Sequence, residues 1–289
     1  MLKKRLFKFF LLIFLVWAAI YFYNRDILNT SQPNYSPKIV AHRGASAIAP
    51  ENTFPAIEKA VEIGVDGIEI DVHMTKDGQI VLIHDSDVSR TTDGVGEIKD
   101  LTMQELEDLD AGSWKGEVFK GTKIPTLAEV LSYLKGKCTL FLEVKKGKDG
   151  RYAGLEEEVI RLLNLYQMKE QTIIMSFQSE TLKKFYELDP GLRLHKLLIG
   201  ELIPHILYHD GSFQWGDVNQ LYFASSTNLN HHFLNPRMLL RSARAEKTNF
   251  IYTINEETDM MKAMELGVDG IITNYPSRLK QLIEISSNQ

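Results

Sequence analysis

Short runs of β-branched and aliphatic residues alternate with longer segments of helical periodicity after residue 37. This alternation predicts repeated strand–helix units, which build a parallel sheet because each parallel crossover needs about a dozen residues or more. Helices are predicted over residues 53–63, 126–135, 155–166, 180–188, 236–246 and 256–266. Nine segments are predicted as strands: residues 38–42, 67–72, 80–84, 139–143, 172–176, 193–199, 220–225, 249–253 and 269–273.

Nine strands exceed the eight of a TIM barrel by one, and the turn at Asp77-Gly78 accounts for the difference. Asp-Gly between two alternating apolar arms predicts a tight hairpin, and the connection is too short for a parallel crossover. Residues 80–84 are therefore predicted to run antiparallel to 67–72. The other eight strands predict an α/β fold, the TIM (β/α)8 barrel. Residues 85–123 predict an insertion that forms a lid or substrate wall.

One heptapeptide pattern occurs twice in the chain. Glu-Ile-Gly-Val-Asp-Gly-Ile at 62–68 recurs as Glu-Leu-Gly-Val-Asp-Gly-Ile at 265–271. The recurrence predicts that the same helix-to-strand corner is used twice, as in a barrel of repeated units. Gly64 and Gly267 stand where the two helices should end.

The N-terminal segment has the character of a membrane anchor. Residues 6–23 are apolar except for Lys8, and 18 helical residues extend roughly 27 Å, enough to span a bilayer core. We expect residues 1–23 to be a single transmembrane helix, 24–37 a linker and 38–289 the barrel domain. The basic N-terminus places the barrel on the extracytoplasmic side. The alternative is a signal peptide cleaved after Val16-Trp17-Ala18, which would give a secreted protein.

The charge and the cysteine content exclude several classes of partner and metal site. The formal charge is -5, and because four positive charges lie in the first eight residues, the remainder carries -9. An acidic body repels nucleic acid, so no nucleic-acid partner is expected and any bound phosphate must meet local cations. Cys138 is the only cysteine, which excludes an intramolecular disulfide and a multi-thiolate zinc site from this chain alone.

Charged residues stand at the carboxyl ends of predicted strands, where TIM barrels build their active sites. Glu69 and Asp71 are two apart and share a strand face, and Glu143 shares one with Lys145. Three carboxylates converging on the lumen would repel one another unless a cation lay among them, and oxygen ligands favour Mg²⁺ or Ca²⁺. The alternative is that Glu143 merely pairs with Lys145, and Asp71 with Arg43.

Two histidines are candidates for proton transfer. His42 ends the first strand, and His84 ends the hairpin return, opposite residues 69–71. One could take a proton and the other could give one near neutral pH. The other six histidines are predicted to lie in loops or on helical surfaces, and His73 is predicted to face away from the lumen.

Ordered motifs support a more specific interpretation. They include Ala-His-Arg-Gly at 41–44, Pro-Glu-Asn-Thr at 50–53, Gly-Ile-Glu-Ile-Asp-Val at 67–72, Ile-His-Asp at 83–85, Leu-Glu-Val-Lys at 142–145 and Ile-Ile-Thr-Asn-Tyr-Pro at 271–276. From residue 39 to 276 the chain closely resembles the glycerophosphodiester phosphodiesterase family. Residues 191–237 are the least typical stretch.

The resemblance implies a function for each candidate residue. His42 and His84 would be the general acid and base. The metal ligands would be Glu69, Asp71 and Glu143, and the phosphate would be bound by Arg43 and Lys145. The implied reaction gives an alcohol and glycerol 3-phosphate, through a cyclic phosphate formed by the glycerol 2-hydroxyl.

Two positions depart from the family pattern. Asn274 stands where the family usually has Asp, and Tyr252 where it often has Trp, which we expect to alter the pocket mouth. A lysophospholipase D-like or sphingomyelinase D-like activity on membrane lipids is the nearest alternative function. A catalytically inactive barrel that serves as a binding module is the other.

Overall fold

The structure, a computed structural model, describes Phe14, residues 36–204 and residues 206–287. The predicted anchor, apart from Phe14, and the predicted linker up to residue 35 lie outside the described residues. Within the described part of the chain, no helix has the length and apolar character needed to cross a bilayer.

Eight parallel strands close into a barrel, as the sequence predicts. The strands of the described residues are β1 (Lys38–His42), β2 (Gly67–Met74), β3 (Ile80–Leu82), β4 (Thr139–Val144), β5 (Thr172–Ser176), β6 (Arg193–Leu198), β7 (Gly200–Ile203), β8 (Leu207–His209), β9 (Phe213–Trp215), β10 (Ser226–Asn230), β11 (Thr248–Tyr252) and β12 (Gly270–Thr273). The barrel strands follow the order β1-β12-β11-β10-β6-β5-β4-β2, and β2 pairs with β1 to complete the circle.

Helices follow the barrel strands and cover them with apolar faces. The α-helices within residues 36–287 that the structure describes are α1 (Phe54–Ile63), α2 (Met103–Glu107), α3 (Leu127–Leu134), α4 (Leu155–Leu165), α5 (Ser179–Leu188), α6 (Pro236–Arg244), α7 (Glu257–Glu265) and α8 (Pro276–Ser287). In α3, for example, the buried residues Leu127, Val130, Leu131 and Leu134 recur at helical spacing, and Thr126 and Glu129 form a capping box.

The short strand β3 returns antiparallel along β2. Val72 pairs with Leu82, and the amide of Ile83 donates to the carbonyl of Asp71 at 3.1 Å. Gly78, at the turn between the strands, has a φ of 82°, which glycine adopts without steric cost. The predicted hairpin is thereby confirmed, and it brings His84 to the end of the barrel where β2 carries its carboxylates.

One predicted strand, 220–225, is wrong, and the sixth barrel strand along the chain is β10, which begins at Ser226. The error has a physical cause, because β10 is polar and its side chains are satisfied inside the protein. Asn228 contacts the His195 ring nitrogen at 3.1 Å, and Thr227 lies 3.3 Å from the Ser242 hydroxyl. A search for apolar runs misses such a strand. Helix α8 and the three-stranded antiparallel sheet of β7, β8 and β9 are also absent from the prediction.

The repeated heptapeptide builds two equivalent corners. Gly64 and Gly267 follow α1 and α7 with φ values of 74° and 69°, so both occupy the left-handed region. The later glycines of the repeat make room for aromatic rings. A β-carbon at Gly67 would lie 2.5 Å from the Phe141 ring, and one at Gly270 would lie 2.3 Å from the Phe250 ring.

We therefore expect Gly270→Ala to destabilise the barrel. The new methyl group would overlap the buried Phe250 ring, and overpacking of this kind costs about 1–3 kcal/mol. The matched control is Gly116→Ala, where a β-carbon would meet no atom within 4 Å. Chemical denaturation of both variants measures the effect, and equal stability of the two would contradict the packing described for the repeated corner.

Candidate active site

Three buried carboxylates converge where β2 and β4 lie side by side. Asp71 of β2 is in register with Glu143 of β4, and Glu69 points the same way two residues earlier. One carboxylate oxygen from each residue lies within 4.8 Å of the others. The alternate residues of β2, such as Ile70, belong to the apolar shell beneath the helices. The three residues predicted to meet are thus brought together.

Two cations lie among these carboxylates. Lys145 Nζ is 2.7 Å from Glu143 Oε1 and 3.2 Å from Asp71 Oδ1. Arg43 Nε is 3.2 Å from Asp71 Oδ2, and the Arg43 amide donates to Glu69 Oε2 at 2.9 Å. The pairing considered as an alternative therefore forms, but three carboxylates against two cations still leave one excess negative charge.

One carboxylate oxygen of the cluster is left without a hydrogen bond. Glu69 Oε1 is buried and has no hydrogen-bond partner, and Asp71 Oδ1 is buried with only the Lys145 ammonium 3.2 Å away. A buried carboxylate oxygen without a partner is costly unless a cation coordinates it. The described residues thus fit a hard divalent cation.

The surroundings raise the pKa values of two of the three carboxylates and lower the pKa of the third. Burial and the neighbouring Asp71 and Glu143 raise the pKa of Glu69 well above its usual value. Burial also raises the pKa of Glu143, against the opposing effect of Lys145. Although burial opposes it, Lys145 and Arg43 hold the pKa of Asp71 well below its usual range. Asp71 is therefore the carboxylate most firmly ionised.

His42, at the end of β1, is held by a residue from the far end of the chain. Its Nδ1 lies 2.6 Å from Asn274 Oδ1, and Ser46 Oγ lies 2.9 Å from the same oxygen. Because an amide oxygen accepts hydrogen bonds, Nδ1 carries the proton and Nε2, 3.9 Å from Glu69 Oε2, has its lone pair available. Burial and the Arg43 charge lower the pKa of His42 to about 4.

The two departures from the family pattern contact the interior of the site and not the pocket mouth, where we expect their effect. Asn274 fixes the His42 ring instead of shaping the pocket mouth. Tyr252 is half-buried, donates to the Leu198 carbonyl at 2.7 Å and lines a small cavity in the barrel with Glu143. Spacing along the chain could not predict either contact, because each joins residues that are far apart in the sequence and meet only in the closed barrel.

His84 lies on the hairpin return and faces the main cleft. Its Nδ1 is 2.7 Å from Asp85 Oδ1, so Nε2 is the nitrogen left for proton exchange. Arg90 donates to Asp85 and, at 2.7 Å, to Glu51, which in turn accepts from Arg43 at 2.7 Å. A chain of charge-assisted bonds therefore joins the start of the insertion to the carboxylate cluster.

The prediction for His73 is wrong. It shares the period-two face of Glu69 and Asp71, and its side chain lines the cleft. Its Nδ1 lies 2.7 Å from the Tyr152 hydroxyl, and its Nε2 lies 3.1 Å from the His84 carbonyl oxygen. His73 therefore supports the backbone that presents His84, and the two-residue spacing already contained that signal.

Two other polar residues of the interior differ from the prediction or are absent from it. His195 is buried in the barrel beside Phe141 and Phe250, and is not on a loop or helix surface. Asn52 donates to Asp71 Oδ2 at 2.9 Å and accepts from the Asp71 amide at 3.1 Å. Its only sequence signal is its place in the Pro-Glu-Asn-Thr motif. These two hydrogen bonds hold the Asp71 carboxylate in the position where it contacts Arg43 and Lys145.

The cleft above the cluster has a volume of about 710 Å³. Its floor includes Glu143 and Lys145, and one wall comes from the turn between β8 and β9. Of the 85–123 insertion, Ser86 lines this cleft. The rest of the insertion packs an apolar cluster around Ile98 and Leu106, so it mainly supports the hairpin that carries His84.

Carboxylates, cations and imidazoles thus share one cleft at the carboxyl ends of barrel strands. The chain is a TIM-barrel enzyme by fold, with a site suited to an anionic substrate. Residues 42–278 match the model of the glycerophosphoryl diester phosphodiesterase family. The chain belongs to that family and is a phosphoric diester hydrolase.

Relatives of known name and structure agree with this assignment. The YhdW protein of Bacillus subtilis is 42% identical over 243 residues, which cover 82% of this chain and 94% of that protein. The glycerophosphodiester phosphodiesterase of Caldanaerobacter subterraneus subsp. tengcongensis is 37% identical over 251 residues, which cover 85% and 97%. An Oleispira antarctica phosphodiesterase, solved in complex with the product sn-glycerol-3-phosphate, superposes with a TM-score of 0.74 at 30% identity, covering 86% and 97%.

The contact between Asn274 and His42 can be tested directly. We expect Asn274→Ala to lower kcat by roughly tenfold or more with little change in KM, because the His42 ring loses the acceptor that fixes its tautomer. Asn274→Asp keeps an acceptor oxygen and should retain activity. Steady-state kinetics of both variants provide the measurement. Equal kcat values for Asn274→Ala and the unchanged enzyme would show that Asn274 does not position the His42 ring.

Proposed function

We propose that the chain hydrolyses glycerophosphodiesters to an alcohol and glycerol 3-phosphate. The observation that carries the proposal is the buried carboxylate cluster with its two cations. His84 lines the cleft that Glu143 and Lys145 also line, and His42 lies 3.9 Å from Glu69. The named relatives support the substrate class, since one is a glycerophosphodiester phosphodiesterase and another was solved with sn-glycerol-3-phosphate.

We propose that Glu69, Asp71 and Glu143 hold one divalent cation, Mg²⁺ or Ca²⁺. An all-oxygen ligand set favours such hard ions. When bound, the ion supplies positive charge that stabilises the negative charge gathering on the phosphate oxygens. Without the ion, three ionised carboxylates exceed the two cations by one negative charge, which would repel a phosphodiester.

Arg43 and Lys145 are proposed to bind the phosphate. Both lie beside Asp71, and both side chains are mostly buried, so their charges act in a medium of low dielectric. The guanidinium and the ammonium can donate to the equatorial oxygens as charge develops there. Lys145 lines the cleft, and Arg43 contacts the same Asp71 carboxylate.

His42 and His84 are proposed to move the protons. In the first step the glycerol 2-hydroxyl attacks phosphorus, one imidazole takes the hydroxyl proton, and the other gives a proton to the departing alcohol. In the second step water opens the cyclic phosphate and the two imidazoles exchange roles. Each ring has one nitrogen engaged, by Asn274 or by Asp85, which leaves Nε2 for the reaction.

We further propose that the enzyme works at a membrane, with the barrel on the extracytoplasmic side. The apolar run of residues 6–23 and the basic residues before it support this location. A secreted enzyme, released after signal cleavage, is the alternative. The same site could also act on lysolipids, which retain a glycerol hydroxyl next to the phosphodiester.

A substrate panel tests the activity. We expect glycerophosphocholine and glycerophosphoglycerol to be cleaved to glycerol 3-phosphate, with turnover abolished by EDTA and restored by Mg²⁺ or Ca²⁺. Release of glycerol 3-phosphate is the measurement. Cleavage of lysolipids alone would replace the proposal by the lysophospholipase D-like activity. No cleavage of any substrate with metal present would identify an inactive barrel.

A matched pair of histidine variants tests the proton transfer. We expect His84→Ala to lower kcat by at least about 10²-fold, the usual contribution of a general acid or base. His232→Ala, which removes an exposed histidine outside the cleft, should leave kcat unchanged. Full activity of His84→Ala would disprove its role.

A further inference from the structure

The small sheet of β7, β8 and β9 has two chemically different faces. Tyr208 and Gln214 are cross-strand partners on its inner face, where Tyr208 is buried in the core and Gln214 lines the cleft. The residues before and after Gln214 point the other way, because side chains alternate along a strand. These are Phe213 and Trp215, which are 67% and 77% exposed.

The outer face continues across the sheet as an apolar surface. Trp215 is in register with Leu207, and Leu207 is in register with Ile203, which is 46% exposed. Phe213 lies opposite His209, with ring centroids 5.0 Å apart. Isolated exposed apolar residues are common, but a contiguous aromatic and aliphatic face usually marks an interaction surface. We call Ile203, Leu207, Phe213 and Trp215 the outer sheet face.

This face is firmly attached to the barrel. Asp210, in the turn between β8 and β9, accepts from the fully buried Lys196 of β6 at 2.6 Å. Glu201 of β7 pairs with Arg241 of α6, and both side chains are largely buried. Two buried ion pairs and the buried Tyr208 ring therefore attach the inner side of the sheet to the barrel. Because the inner side is attached in this way, the outer sheet face is exposed in the folded protein.

The position of the sheet indicates what covers it. The same hairpin forms one wall of the catalytic cleft, and Lys146 and Lys148 line that cleft as well, where they can meet phosphate groups. Exposed Trp and Phe side chains are typical of surfaces that enter the headgroup region of a bilayer, and the two lysines lie in the cleft on the inner side of the same sheet. A second protein chain on this rim would stand beside the substrate entrance, whereas a lipid surface can itself supply the substrate.

We propose that the outer sheet face docks on a phospholipid bilayer and turns the mouth of the catalytic cleft toward the lipid surface. The barrel strand β1 begins at the opposite end of the barrel, but the predicted linker of residues 24–37 could reach about 50 Å when extended, so an anchored chain can adopt this orientation. The docking surface goes beyond the proposed hydrolysis, and its assignment to a lipid surface rests on the proposed activity toward lipid-derived phosphodiesters.

The test follows Trp215 in the full chain bound to vesicles of phosphatidylcholine and phosphatidylglycerol. Trp17→Phe and Trp114→Phe leave Trp215 as the only tryptophan. With brominated acyl chains in the vesicles, we expect the Trp215 emission to shift to the blue and to be quenched. The quenching should persist in high salt, because apolar contact dominates the binding. The matched control adds Trp215→Phe and Leu165→Trp, a reporter on an exposed residue at the opposite end of the barrel, which should remain unquenched.

Each other outcome would overturn the proposal. Equal quenching of the two reporters, or none at Trp215, would mean that the outer sheet face does not meet the bilayer. A Trp215 emission that is already blue-shifted without lipid, together with a dimer in sedimentation, would assign the face to a second copy of the chain. Hydrolysis of glycerophosphocholine by the same variants is measured separately, so a failure of docking is distinguished from a failure of the proposed activity.

Discussion

The charge balance among Glu69, Asp71, Glu143, Arg43 and Lys145 is the constraint on which the site depends. Three carboxylates and two cations share a buried volume where electrostatic interactions are strong and water is largely excluded. Removing one cation would leave uncompensated buried charge, which is strongly destabilising. Removing one carboxylate would weaken the attraction for a divalent ion. The arrangement is thus suited to a site that must bind both a cation and an anionic ester.

The surrounding structure maintains this balance. Register between β2 and β4 sets Asp71 beside Glu143, and Asn52 holds the Asp71 carboxylate by two hydrogen bonds. The Arg90–Glu51 bridge extends the network to the insertion and to Asp85, which orients His84. The insertion therefore contributes to the site mainly by holding His84 in place, and only Ser86 of its described residues lines the cleft.

The sequence predicted the features that follow from local periodicity and strand ends. Glu69 and Asp71 could be placed on one face because strand side chains alternate, and the Asp77-Gly78 turn located His84. The same alternation, applied consistently, would have placed His73 in the cleft. Strand β10 was misplaced because Asn228 and its neighbours are polar yet satisfied in the interior. The contact of Asn274 with His42 joins residues 232 apart, and only the closed barrel brings them together.

The central claim is that a divalent cation reverses the charge of the carboxylate cluster and so permits an anionic phosphate to bind. Calorimetric titration of glycerol 3-phosphate into the full chain tests it without turnover, once with Mg²⁺ or Ca²⁺ and once with EDTA. We expect EDTA to weaken the affinity by about tenfold or more, and Glu69→Gln to do the same with metal present. Equal affinity with and without metal would show that the cation does not control phosphate binding.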